Sequence, residues 1–489
     1  MKKGLITIGL FIALIAAVVL LRAVYVFDDR QPKPAEGGAS MTLNETQATQ
    51  AAARLSEAIQ IQTISYDDRS QFDAPAFLQF HQFLQNAFPQ VHQVAEKTVI
   101  NQYSLIYHIK GSDPTLKPVL FLGHMDVVPI DPFNRDKWSH PPFSGDISEG
   151  IVWGRGALDE KGGLMALMEA TEGWLKQGNK AKRSIYLALG HDEEVGGADG
   201  AAQMAKYFAD NNINFEFVLD EGGAVTEGLM QGFTRPVALL GIAEKGYANI
   251  ELTVTAAGGH SSQPPPQTAV GILSQAIVNI EKNPFEPNLQ FTELTFAHIG
   301  SYAPFTIKMV MANLWLFDSL VKNKLLSQPK IAASLRTTAA PTMVKGSPKS
   351  NILPTVASGV VNARIFPGES YDSVKQYIEN VIDDPRVKVE LGTKINPSPV
   401  SSTDSASYQL IAQSIVESDH NVLVAPYLVQ GGTDSKYYYP VADNVYRFLM
   451  MRMNREKLKR LHGIDEQMPV ADYIEAIEFY YRLLGKVGA

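Results

Sequence analysis

Cysteine is absent from all 489 residues, which excludes both disulfides and thiolate metal sites. Any metal bound by this chain must be held by His, Asp and Glu. Clustered positive charge is also missing: the formal net charge is -8, and basic residues occur in nothing longer than short pairs. Phosphate backbones need a concentrated basic surface, so nucleic acid is not expected as a partner. No internal repeat is found, and no low-complexity segment follows a polar stretch at 28–41. What remains is ordinary globular composition, 45% hydrophobic and 19% charged. The chain is too long for one compact core, so two domains, or one domain with a large insertion, are expected.

The N-terminus departs from that average. Lys2 and Lys3 precede an apolar run from Leu5 to Leu21, broken only by Thr7 and Gly9; Arg22 and a second apolar patch, Ala23 to Phe27, follow. Residues 1–27 read as a membrane anchor or a signal segment. The run is long for a signal core and no Ala-x-Ala site follows it closely, which favours an N-terminal transmembrane helix. The two lysines place the N-terminus in the cytoplasm and the body outside, periplasmic or extracellular; cleavage would make the chain secreted. Residues 28–41, rich in Pro, Gly and charge, read as a linker.

Beyond the linker, Thr42 to Glu45 has capping-box spacing before an Ala-rich run, and Asp73 with Pro75 opens a second helix. Short β-rich runs (Ser104 to Ile109, Val119 to Leu122, Ile185 to Leu189, Phe215 to Leu219) then alternate with helical stretches, Leu164 to Lys176 and Ala201 to Asn211. This alternation predicts an α/β domain built on a mixed, largely parallel sheet flanked by helices. Ligands bind beyond the carboxyl ends of such strands. Near Ala243 the texture changes. Strands at Ala248 to Ala256, near Ile331 to Thr337, at Val356 to Ile365 and at Val387 to Leu391, with helices at Thr268 to Lys282 and Ser370 to Ile382, give a βαββαβ order, a ferredoxin-like α+β insertion. Residues 283–328 fit this order poorly and read as an elaboration. The expected division is therefore 42–242 and 394–489 for the α/β domain, with 243–393 inserted.

Three acidic or His-bearing segments follow strands of the first domain. His124 and Asp126 form a His-x-Asp pair, which suits a metal site and equally a hydrogen-bonded pair at a strand end. Asp159 lies in the glycine-rich turn Gly154 to Gly163 and reads as a ligand or as a helix cap. His191, Asp192, Glu193 and Glu194 stand in a row after an apolar strand and would repel one another without a cation among them. Asp220 and Glu221, before Gly222 and Gly223, repeat the pattern. One cation has no need of so many carboxylates; two divalent ions with a bridging carboxylate do.

In this order, His124-x-Asp126, Gly154 to Gly163, Asp192-Glu193-Glu194, Leu219 to Gly223, Gly258 to Ser262, and His462-Gly463-x-x-Glu466 resemble metallopeptidase family M20, the co-catalytic zinc carboxypeptidases and aminoacylases, and within it the carboxypeptidase S and N-fatty-acyl-amino-acid synthase/hydrolase branch. The resemblance runs from about Ala52 to the C-terminus. It implies a zinc-peptidase catalytic domain, a lid or dimerisation domain at 243–393 that supports a homodimer, and two Zn2+ per subunit. The implied metal ligands are His124, Asp159 as the bridge, Glu194, Asp220 and His462, with Glu221 left open beside Asp220. Glu193 is the implied general base and Asp126 the carboxylate orienting His124. His260 is implied to stabilise the oxyanion, often in the partner subunit's site. Asn351 and Arg364 are implied to hold a substrate carboxylate, with Gly432 and Thr433 in the loop Gly431 to Ser435 touching the same group. The remaining histidines, 81, 92, 108, 140, 191, 298 and 420, read as structural or exposed.

The implied reaction is hydrolysis of an amide next to a free carboxylate, in the last residue of a peptide or in an N-acyl amino acid. The apolar insertion from Asn283 to Leu326 favours an apolar acyl or side chain. Two other classes compete. A catalytically silent, metal-stabilised binding protein would be marked by loss of the base, yet Glu193 is present. A two-metal phosphoesterase would leave Asn351 and Arg364 unexplained.

Overall fold

A computed structural model of the chain describes residues 2–34 and 41–489; residues 35–40 of the expected linker, and Met1, lie outside the described residues. The runs Val119–His124 and Ile185–Gly190 are buried throughout, and apolar from Val119 to Leu122 and from Ile185 to Leu189. That pattern belongs to strands covered on both faces. They lie parallel to one another at the centre of a mixed 10-stranded sheet, with Phe217–Asp220 parallel on the other side of Val119–His124. Side chains alternate across the sheet. Tyr107, Phe121, Leu187 and Leu219 pack into the main core under the helices Lys161–Lys176 and Val470–Gly488, while Ile106, Leu120, Tyr186 and Val218 face the helix Ala201–Asp210.

Three local expectations shift. The first helix of the body is Glu45–Gln60, capped by Asn44 rather than Thr42: Asn44 accepts from the Gln47 N–H, and the Gln47 side chain returns to the Asn44 N–H. This reciprocal pair satisfies two otherwise orphaned donors. The strand expected near Ile331 to Thr337 is instead Thr338–Lys345, because Pro329 starts the short helix Pro329–Ala333. The strand expected from Phe215 begins at Phe217.

The second, four-stranded sheet has the order Thr338–Lys345, Val356–Ile365, Gly246–Thr255, Val387–Ile395, antiparallel throughout, with the helices Ala269–Lys282 and Tyr371–Ile382 on one face. Strands of both sheets overrun the expected divisions: Val237–Glu244 still pairs in the large sheet, and Val387–Ile395 of the small one ends beyond 393. The chain crosses between sheets at Lys245. The returning segment runs alongside, with Ser398 N–H donating to Glu244 O at 3.1 Å. Gly246 permits this approach, since a Cβ there would stand 2.4 Å from Pro397 N. The elaboration at 283–328 folds as helices, among them Gln290–Ile299 against the strand Leu423–Val429 and Phe305–Met311 against the N-terminal helix Lys2–Tyr25. By length and composition the latter is apolar enough to cross a membrane.

Lys245 is 5% exposed, and its Nζ donates to Ala333 O and Arg336 O at 2.9 and 2.8 Å. Burial first, then the Arg364 charge, lower its pKa from 10.5 to about 8. The unfolded chain holds that proton at higher pH than the folded one, so the native state gains stability as pH rises from about 8 to 10.5. Denaturant melts of wild type and Lys245→Met should diverge by roughly 1–3 kcal/mol in favour of wild type across that window. Parallel pH profiles would show that Lys245 is not the titrating group.

Candidate active site

The parallel central strands deliver their carboxyl ends to one edge. His124 is the register partner of Gly190, which sets His191 to Glu194 beside it, and Phe217–Asp220 runs along the other side of the His124 strand. Two groups that could hold a metal ion form there: His124, Asp159 and Glu221, and Asp159, Glu194 and His462, the donor atoms in each lying within 4.8 Å of one another. Asp159 belongs to both. Its Oδ1 lies 3.2 Å from His124 Nε2 and its Oδ2 3.0 Å from His462 Nε2. Glu221 Oε1 is 3.6 Å from His124 Nε2, and Glu194 Oε2 is 3.4 Å from His462 Nε2.

One expectation changes. Glu221, not Asp220, joins the cluster. Asp220 is the last residue of its strand, is buried, and accepts the N–H groups of Glu221 and Ser435 at 3.0 and 2.8 Å. One residue further on, the side chain reaches the opposite side, toward His124.

Behind the ligands lies a row of groups that aim them. Asp126 is fully buried; its Oδ1 is 3.3 Å from His124 Nδ1, and its two oxygens accept the N–H groups of Glu193 and Glu194 at 3.2 and 3.1 Å. Asp126 thus sets the ring of one ligand and the backbone of both glutamates. Glu160 Oε2 accepts the His124 N–H at 3.0 Å; the Asp159–Glu160 peptide is cis. Gly162 lets this turn close on itself, since a Cβ would stand 2.2 Å from Ala157 O. Asp192 accepts the Asp199 and Gly200 N–H groups, and His191 Nδ1 lies 2.6 Å from Ser104 Oγ, so both are structural.

Glu466 is the residue that sequence reasoning passed over. It is completely buried, pairs with Arg155 Nη1 at 2.6 Å, and its Oε1 accepts the N–H groups of Gly156, Leu158 and Asp159 at 3.1, 2.8 and 3.0 Å. Arg155 Nη2 in turn donates to His462 O and Gly463 O. Gln467 pairs with Trp153 in a small three-stranded sheet, which brings this late segment to the glycine turn. The repeated Arg and Glu beside ligand positions were the available signal.

The other expected residues lie elsewhere. His260 is exposed, with Nδ1 2.7 Å from Ser262 Oγ, and the Ser261 N–H donates to Asn351 O at 3.2 Å, so His260 and Asn351 meet on the insertion. Arg364 is exposed on the same insertion, its guanidinium 4.9 Å from the Tyr247 ring centre. Gly432 is exposed with open space beside it. Thr433 is buried, its hydroxyl committed to Glu244 and Ser435.

Burial pushes the Glu193 carboxyl well up, and it raises Glu221 to about 7 with Asp159 adding to the effect. Asp159 and Glu194 raise His462 to about 10. Burial opposes charge on His124, yet Asp126, Asp159 and Glu221 carry its pKa well above the ordinary value. Burial and like charges thus penalise the carboxylates, a cost that divalent cations would remove. His124 Nε2 and Glu194 Oε1, both buried, make no hydrogen bond despite their neighbours. These orphaned atoms, and a set of imidazole and carboxylate donors without thiolate, fit two bound metal ions.

The family model described as Peptidase family M20/M25/M40 matches residues 120–486. The chain belongs to this family. It is 41% identical over 468 residues, 94% of this chain and 89% of the relative, to "Probable carboxypeptidase S-like 2" of Dictyostelium discoideum. It is 36% identical to "N-fatty-acyl-amino acid synthase/hydrolase PM20D1" of Xenopus tropicalis, over 90% of this chain and 86% of the relative. Among solved structures, the M20 metallo-carboxypeptidase Sso-CP2 of Sulfolobus solfataricus shares the fold with TM-score 0.64 at 18% identity, covering 91% of this chain and 100% of that one. A Bacillus subtilis protein described as a dinuclear metal-binding M20 peptidase follows at TM-score 0.55 and 11% identity, over 91% and 99%. The M20 chain is therefore an enzyme of the metallopeptidase and N-acyl-amino-acid hydrolase class, and its family is metal-dependent.

If Glu466 organises this M20 site, Glu466→Ala leaves Arg155 charged and unpaired and should cost about 3–5 kcal/mol in urea melts. Activity should fall further than the folded fraction, since Asp159 loses the bond that places it. A melt within about 0.5 kcal/mol of wild type would remove Glu466 from this role.

Proposed function

We propose that the chain hydrolyses an amide bond next to a free carboxylate, with two zinc ions per subunit held by His124, Asp159, Glu194, Glu221 and His462. The observation that carries this reading is Asp159, whose two oxygens are divided between the two ligand groups. Bound zinc there would supply Lewis acidity toward the carbonyl and a water of lowered pKa. Glu193 accepts the proton of the water that adds to the carbonyl carbon, and returns it to the leaving nitrogen as the C–N bond breaks. The Asp126 bonds to the Glu193 and Glu194 N–H groups fix the base relative to the ligands. Glu193's raised pKa supports its part as a proton carrier, since a base is most effective when its pKa approaches the working pH.

The insertion supplies the other half of the site. Asn351, Arg364 and Gly432 take the substrate carboxylate, and His260 stabilises the oxyanion in the partner subunit's site. The adjacency of His260 and Asn351 supports one shared subsite. The edge strand Thr338–Lys345, with exposed Met343 and Val344, offers a surface for a homodimer. The names of the relatives divide between carboxypeptidase and N-fatty-acyl-amino acid synthase/hydrolase, and we place this chain's substrates in their shared chemistry. The N-terminal helix anchors the chain in a membrane with the body outside the cytosol.

Glu193→Ala should abolish hydrolysis while metal analysis still finds two zinc ions per chain; surviving turnover would displace Glu193 as the base. Across dipeptides, N-acetyl and N-fatty-acyl amino acids, the amidated counterparts of accepted substrates should fail. Mixing Glu193→Ala with His260→Ala subunits should recover about a quarter of wild-type activity, as half the random dimers then hold one complete site. No recovery would exclude a His260 shared between subunits.

A further inference from the structure

The N-terminal helix is not free of the body. Its covered positions recur every fourth residue: Ile15 is half-buried, Val19 is 7% exposed, Ala23 is 1% exposed, and Phe27 just beyond packs on Gly300. Asn313, fully buried, donates to Val19 O at 3.0 Å, and Arg22 Nε donates to Ala312 O at 2.9 Å. The helix Phe305–Met311 packs along this stripe. From Tyr25 back to Ile15 is ten residues, about 15 Å of helix, or half of a hydrocarbon core of roughly 30 Å. A helix that crosses the bilayer with this stripe covered carries its covering elements into the outer half of the membrane.

The surface of those elements suits that place. Phe305, Trp315, Leu316 and Leu320 are 50%, 58%, 48% and 62% exposed. Water gives no reason for four large apolar side chains to cluster outward on two consecutive helices. Between Phe305 and Ala333 the chain carries Lys308, Lys322, Lys324 and Lys330 against the single acid Asp318, although its net charge is -8. Lysines beside Trp and Leu match the boundary between anionic headgroups and acyl chains.

We propose that the helices Phe305–Met311 and Leu314–Leu326 form a foot that docks in the outer leaflet of the bilayer the N-terminal helix crosses. The proposal rests on that helix being a retained anchor. It holds the catalytic body against the lipid surface through two elements rather than one tether, a site at which amphiphilic substrates concentrate.

The full chain is reconstituted in phosphatidylcholine/phosphatidylglycerol vesicles with and without lipids brominated along the acyl chain. Trp315 is one of four tryptophans, and its emission is obtained by difference against Trp315→Phe. The foot requires loss of most of the Trp315 emission in brominated vesicles, and weaker loss in Leu316→Glu/Leu320→Glu, with dipeptide hydrolysis in detergent unchanged. A chain that resists alkaline carbonate extraction but shows unquenched Trp315 emission overturns the foot and leaves the anchor standing. A chain released by carbonate overturns both.

Discussion

One buried ion pair, Arg155 with Glu466, joins segments more than 300 residues apart in sequence, and the metal site takes its shape from it. The pair is not there for stability alone, since well-packed apolar side chains of the same volume would serve as well or better. What apolar residues lack is direction. Glu466 receives three N–H groups of the turn, those of Gly156, Leu158 and Asp159, and Arg155 holds the carbonyls of His462 and Gly463. The residue shared by both ligand groups and the imidazole facing it are thus fixed by a single charged bridge.

The same logic extends through the site. A carboxylate near metal has lone pairs to spare, and the fold occupies them with backbone N–H groups: Asp126 with Glu193 and Glu194, Glu160 with His124, Asp220 with Glu221 and Ser435. His124, Asp159, Glu193, Glu194 and Glu221 thus each have their backbone N–H tied by an outer carboxylate, while Arg155 holds the His462 carbonyl. The outer groups lie outside both candidate ligand groups, and they make the inner ones converge although burial and like charge oppose it.

The parallel core was legible because Val119 to Leu122 and Ile185 to Leu189 are apolar at every position, which only a doubly covered strand explains. The small sheet was legible from its alternation, apart from the strand at Thr338–Lys345, where Pro341 and exposed positions blur the period. Among the ligands, His124, Asp159, Glu194 and His462 came together as their order implied. Asp220 and Glu221 were not separable in sequence, because the choice depends on where the strand stops. Glu466 and Arg155 were written in the motifs but had no role until register pairing of Gln467 with Trp153 brought them face to face. Thr433 illustrates the reverse: a plausible substrate contact by motif, its hydroxyl is bound inward to Glu244, which also pairs with buried Arg447.

The division of groups between two sheets bears on selectivity. The candidate metal cluster is built at the edge of one sheet. Asn351, Arg364 and His260 stand on the insertion, which leaves that sheet at Lys245 and returns beside it around Pro397. If, as proposed above, the chemistry and the carboxylate recognition lie on these two bodies, hydrolysis requires an amide that reaches both at once. On that reading the nitrogen-side carboxylate is required, while no comparable requirement falls on the acyl side. On the reading proposed above, a fold of this kind serves peptide ends and acylated amino acids with one catalytic centre, and its setting decides which of them arrives.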